Sequence, residues 1–224
     1  QTGKVFYGET FSDVLSYNFP FSFPNVIKTA TTKARLDVAA ISSENTSFVL
    51  KLNDTQQQTV TVLKKSIDNY EVGKDANVVF TYTPSADNLI FNLSYTKATP
   101  VSRGYLNYLE VNARRSLTMA GAVMFFRNTD YLNFGTYNRY QLSGAGPNVQ
   151  IWDVTDPLNI KKIVTTRTNN VLEFVDTNSM LKEYVAIDAT SAAAFQQPSV
   201  VGEVPNQNLH GIQNAEMVIL THPT

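Results

Sequence analysis

The sequence contains no cysteine. Disulfide frameworks, thiolate metal sites and cysteine nucleophiles are therefore excluded from this chain. Charge is scarce: Asp, Glu, Lys and Arg make up 17% of 224 residues, and the net charge is −1. That is below the usual quarter. With no basic field there is no electrostatic footprint for a nucleic acid or an anionic membrane. Long hydrophobic runs are missing as well, and no stretch approaches the roughly 18–20 apolar residues of a membrane span. The chain opens at Gln1 without a charged-then-apolar leader. This start fits removal of a signal peptide, or trimming, and the expected location is extracellular or at the cell surface.

What is present is β grammar. Hydrophobic residues make up 43% and aromatics 11%, and the length suffices for one large β domain or two small ones. Thr46 to Leu52 and Gln58 to Lys64 flank the polar "NDTQQ" and read as a hairpin, with Phe48, Leu50 and Leu52 on one face. "ANVVFTYTP" and "NLIFNLSYT" read as a second hairpin around "PSAD", with Val78, Phe80 and Tyr82 alternating in one strand and Leu89, Phe91, Leu93 and Tyr95 in the other. Ala34, Leu36, Val38 and Ala40 mark another strand. The prolines of "FPFSFPN" confine Phe19 to Asn25 to an edge or a connection, with its rings turned inward. "GYLNYLEVNARRSLTM" is ambiguous: Leu106, Leu109 and Leu117 fall at helical spacing, whereas Tyr105, Asn107, Leu109 and Val111 alternate. Its tyrosines favour the strand.

Beyond Met119, "AVMFFRN", "YNRYQLSG", "NVQIWDV", "IKKIVTTR", "VLEFVDT" and "KEYVAID" read as strands, punctuated at Asp156-Pro157, Asn169-Asn170 and Thr177-Asn178. One short helical turn is expected, Thr190 to Gln196. Some fifteen short strands with polar turns imply an all-β, antiparallel, jelly-roll-like sandwich. The expected division is a first β-rich subdomain over 1–118 and a second over 119–204, with one large sandwich as the alternative. Residues 205–224 form a linker and then "AEMVILTHP", an apolar run without alternation. That is the grammar of a strand covered on both faces in an α/β domain.

Individual residues offer little chemistry. His210 and His222 lack the spacing and the partners of metal or acid–base sites and read as loop residues. Asp153, Asp156 and Asn159 could supply hard oxygen ligands for Ca²⁺, but Asp-Pro is also a turn starter. Trp152, the single tryptophan, reads as core or edge packing rather than a sugar platform. The glycines of Ser143 to Asn148 lack the helix and the Lys-Ser/Thr pair of a phosphate loop. Arg114 and Arg115 point to opposite faces of a strand and are expected to pair with carboxylates such as Glu110. Asn45, Asn53 and Asn92 open glycan-acceptor triplets. Tyr105, Tyr108, Phe125, Phe126, Tyr131, Phe134, Tyr137 and Tyr140 form a dense aromatic population, of which alternation places about half on any one face. No catalytic, cofactor-binding or metal-ligating residue is assigned, and no cofactor is expected.

Three landmarks suggest a relation. Val149 to Ile160, Gly104 to Leu117 and Leu209 to Pro223 resemble the N-terminal region of the gingipain-type cysteine peptidases that serve as sortases of type IX secretion. The resemblance runs from about Phe19 to the last residue. It implies a β-rich region preceding a caspase-like peptidase domain whose first strand is "AEMVILTHP" and whose catalytic His and Cys lie downstream of this chain. It further implies an outer-membrane-associated setting. The implied partners are the downstream peptidase domain, outer-membrane secretion components and secreted cargo. The chain itself is then non-catalytic, within a parent endopeptidase and transpeptidase. The alternative is a free-standing carbohydrate-binding or adhesin-like module.

Overall fold

The structure is a computed structural model that describes residues 5–66, 72–130, 132–133, 135–195 and 197–203. The linker and apolar strand expected over 205–224, with His210 and His222, lie outside these residues, as do Tyr131 and Phe134. The described chain is all-β and antiparallel throughout its ladders, as expected.

Eight strands build the first body: β1 (Thr10–Phe11), β2 (Ser16–Ser22), β3 (Thr32–Ile41), β4 (Thr46–Leu52), β5 (Gln56–Val62), β6 (Lys74–Tyr82), β7 (Asn88–Thr96) and β8 (Arg103–Asn112). They form two four-stranded sheets, ordered β1-β8-β3-β6 and β2-β7-β4-β5. Four of the pairings are β1 with β8, β2 with β7, β3 with β6 and β4 with β5. The chain is thus one long hairpin whose successive rungs fall alternately in the two sheets, which is a jelly roll. β3 with β8 and β4 with β7 close each sheet.

The period-2 faces meet between the sheets. Ala34, Leu36, Val38 and Leu106 pack from one side, and Phe48, Leu50, Leu52, Leu89, Phe91, Leu93 and Tyr95 from the other. Each such large side chain stabilises by about 1.5–3 kcal/mol when fully buried. As expected, β2 is an edge strand, and Phe19, Phe21 and Phe23 lean onto the core.

Two expectations are corrected. β6 and β7 are not a hairpin: they belong to opposite sheets, β6 against β3 and β7 between β2 and β4. The link between them is satisfied elsewhere. Gln56 accepts from the Thr83 amide at 2.8 Å and donates to the Thr83 carbonyl at 2.6 Å, while the Asp87 carboxylate accepts from the Asn25 and Val26 amides at 2.9 and 3.3 Å. "IKKIVTTR" is not one strand but two, β12 (Lys161–Lys162) and β13 (Thr166–Thr168), which join different sheets. Ile163 packs into the core where the chain crosses, and its amide donates to the Ile151 carbonyl at 2.8 Å.

The second body adds β9 (Val123–Arg127), β10 (Tyr137–Leu142), β11 (Val149–Asp153), β14 (Val171–Thr177) and β15 (Glu183–Asp188). Its sheets are β12-β11-β15-β9 and β10-β14-β13. Between them lie Met124, Leu142, Ile151, Leu172, Phe174, Tyr184 and Ala186. The Tyr140 and Phe174 rings stack at 4.7 Å. The expected helical turn is a short 3₁₀ helix, Ala192–Ala194.

The bodies meet at the chain between β8 and β9. Val26 bridges Arg115, and Thr118 bridges Ser143. Arg127 reaches back to Asn112 at 3.1 Å and to Glu110 at 3.8 Å.

Candidate functional site

The sheet β12-β11-β15-β9 has two apolar faces. Met124, Phe126, Tyr184, Ala186, Val149 and Ile151 point into the second core. Alternation sends the intervening residues outward, and there they are apolar too. Register aligns Phe125 with Val185 and Val185 with Trp152, while Ile187 sits between Val123 and Gln150. Phe125 is 69% exposed, and its neighbours Val123, Val185, Ile187 and Trp152 are half-buried without packing on the core. The Trp152 indole N–H is shielded and makes no hydrogen bond. An exposed apolar ladder of this kind marks a surface on which another protein surface can pack. The ladder ends at the ion pair of Arg127 with Glu183, 2.8 Å. Lys162, opposite Trp152, lies at the other side.

Beneath the edge of this sheet lies a cleft of about 380 Å³. Lys162, Ile163, Arg167, Gln150 and Thr190 are among its walls. Arg167 spends two donors on the carbonyls of Ala145 and Val149, at 2.8 and 3.2 Å, so its guanidinium braces the Ser143–Asn148 loop. The loop is a turn held by an arginine, and no helix follows it.

The other sequence candidates have structural partners. Asp153 accepts from the Thr155 amide and Asp156 from the Leu158 amide, both at 3.0 Å, and the Asn159 amide donates to the Asp156 carbonyl. These carboxylates shape the β11–β12 turn. Asn45 accepts from the Lys64 amide and Asn53 from the Ile90 amide, whereas Asn92 donates to Ser16 and Asn18. Arg114 forms an ion pair with Asp130, and the Arg115 guanidinium donates to the Met124 sulfur at 2.7 Å. Burial pushes the Arg115 guanidinium down from its ordinary value, opposed by the Asp87 charge. The arginines separate as alternation requires, but each joins the first body to the second. Of the aromatics, Phe126 and Tyr140 pack on the core, Phe125 and Tyr137 face outward, and Tyr105 and Tyr108 lie on the outer face of β8.

The apolar ladder is the feature that sequence reading missed. "VMFF" and "YVAI" depart from strict polar alternation, and that departure was the available signal.

Fold and faces together define an all-β protein, a jelly roll followed by a smaller antiparallel sandwich, one of whose sheets is apolar on both faces. The same fold occurs in PorU of Porphyromonas gingivalis. The crystal structure of its dimeric latent form matches this chain with a TM-score of 0.73 at 21% identity, covering 92% of this chain and 20% of that one. The chain thus spans about one fifth of the length of that protein. No family model and no curated protein matches the sequence. The likeness expected from the three landmarks therefore holds at the level of fold.

Proposed function

We propose that this chain is the non-catalytic β-rich region of a secreted or cell-surface cysteine peptidase and transpeptidase related to PorU. Its two subdomains, 1–118 and 119–204, orient a peptidase domain that follows in the same polypeptide. The outer face of β12-β11-β15-β9 is the surface that receives this domain. In the parent enzyme, a cysteine nucleophile and a histidine base supplied by the later domain cleave sorting signals from secreted cargo through a thioester. The cargo is then joined to a cell-surface lipopolysaccharide. Outer-membrane secretion components and the cargo are further partners of the assembled protein.

The observation that carries this reading is the ladder Phe125–Val185–Trp152, a second apolar face on a sheet that already has a core. The fold match supports it, because it covers nearly all of this chain and only a fifth of PorU.

The test uses the parent polypeptide, with the peptidase domain also produced separately. The 224-residue chain alone is expected not to turn over a sorting-signal peptide, and to bind the isolated domain in trans. Phe125→Asp should weaken that binding at least tenfold while leaving the melting temperature of the chain unchanged. Undiminished binding by the Phe125 variant contradicts the assignment of the face.

A further inference from the structure

The outer face of the jelly-roll sheet β1-β8-β3-β6 is unlike that of its partner sheet. On β2-β7-β4-β5, alternation turns outward Ser16, Asn18, Asn92, Ser94, Val49 and Thr59, with no aromatic ring among the outward positions. On β1-β8-β3-β6 the outward rows run Tyr105–Ala39–Asp75 and Tyr108–Asp37–Asn77 across the three longer strands. Tyr7, from the segment before β1, sets its ring 5.7 Å from that of Tyr105. Three phenol rings therefore lie on this face, around the buried side chain of Ala39.

The polar groups on this face are held in place. The pairing of β3 with β8 shifts between Asp37 and Val38: Asp37 opposes Tyr108 and Val38 opposes Leu106, so Asn107 is the extra residue of a β-bulge. The bulge lets Asn107 reach the Asp37 carboxylate at 3.3 Å, while Asn77 donates to the same carboxylate at 2.7 Å and lies 2.9 Å from the Tyr108 hydroxyl. Two side-chain amides thus fix one carboxylate in an exposed sheet face, and the Asn77 amide also donates to the Tyr108 hydroxyl. Burial, with the nearby charges of Asp37 and Asp75, pushes the Tyr7 phenol up from its ordinary value, so its hydroxyl stays protonated and can both donate and accept.

We propose that this face binds a neutral saccharide. Flat rings stack against the C–H faces of sugar rings, and fixed carboxylate and amide groups take paired hydroxyls. The outward charges of the sheet balance, Lys33, Arg35 and Arg103 against Asp37, Asp75 and Glu110, so no net field selects an ionic ligand. This face is on the jelly roll and the apolar ladder on the second body, so this site stands whether or not the ladder receives a peptidase domain.

The test titrates the ¹⁵N-labelled 224-residue chain with neutral hexasaccharides of glucose, mannose and N-acetylglucosamine, and separately with Ca²⁺. At least one saccharide is expected to shift the side-chain amides of Asn77 and Asn107 and the backbone amides of β3, β6 and β8, with a dissociation constant below about 1 mM. Asp75→Ala and Tyr108→Ala, both at exposed positions, should weaken it at least tenfold with the rest of the spectrum intact. Thr59→Ala on the opposite sheet should change nothing. The proposal is overturned if none of the saccharides shifts these amides, if the shifts fall on another face, or if only Ca²⁺ produces them.

Discussion

Asp176, next to last in β14, lies at the margin of the second core and collects three donors: Lys182, the Tyr184 hydroxyl at 2.8 Å and the Thr177 amide at 2.7 Å. Burial pushes its carboxyl up, but the bonds from Lys182, Tyr184 and Thr177 outweigh that and hold it below the ordinary value. The folded pKa therefore lies under the unfolded one. The stabilisation is complete above about pH 4 and is lost as pH falls through the folded value. Asp176→Asn should lower stability at pH 7 by about 2–3 kcal/mol. It should also flatten the decline of melting temperature as pH falls below about 4, measured by circular dichroism; an unchanged slope would remove Asp176 from the account. Gly104 is a second decisive residue. An added Cβ there meets Phe48 at 2.7 Å and Tyr95 at 2.9 Å. Gly104→Ala should cost about 1–3 kcal/mol in urea titration. Neither role was legible beforehand: Gly104 meets Phe48 and Tyr95 only because the two sheets of the first body face each other, and Asp176 meets Lys182 and Tyr184 only because the chain crosses from β14 to β15 in the other sheet.

At the scale of elements, the ambiguity in "GYLNYLEVN" has a structural cause. Leu106 and Leu109 are three apart, and both pack on the first core. A regular strand would turn one of them outward. The bulge at Asn107 shifts the alternation by one residue, and a β strand then shows the spacing of a helix. Deleting Asn107 should remove the extra residue and give a regular ladder that keeps Leu106 and Leu109 inward and Tyr105 and Tyr108 outward. The expected result is retained cooperative melting of the first body, and a deletion variant that no longer melts cooperatively would contradict the register. The hairpin 46–52/56–62 was legible because its turn closes within one sheet, with Asn53 and Asp54 in the left-handed region that such turns use. The link from β6 to β7 has the same local grammar. What sends it across to the other sheet is Asp87 and Gln56 bonding to distant segments, which alternation does not encode.

On the scale of the whole molecule, strand count, antiparallel pairing and the inward sets of β3, β4 and β7 follow from period-2 patterning, because a half-buried sheet must alternate. The faces that face outward were less legible: polar alternation marks where the core is, whereas a partner surface shows only as its local failure. That failure is concentrated at Phe125, Val185, Ile187 and Trp152 on one sheet. The most direct test is hydroxyl-radical footprinting, read by mass spectrometry, of the 224-residue chain against the full-length parent polypeptide. Modification of Phe125 and Trp152 should fall several-fold in the longer protein, with Tyr108 on the jelly roll unchanged. Equal labelling of Phe125 and Trp152 in both proteins would contradict the claim that this face seats the following domain.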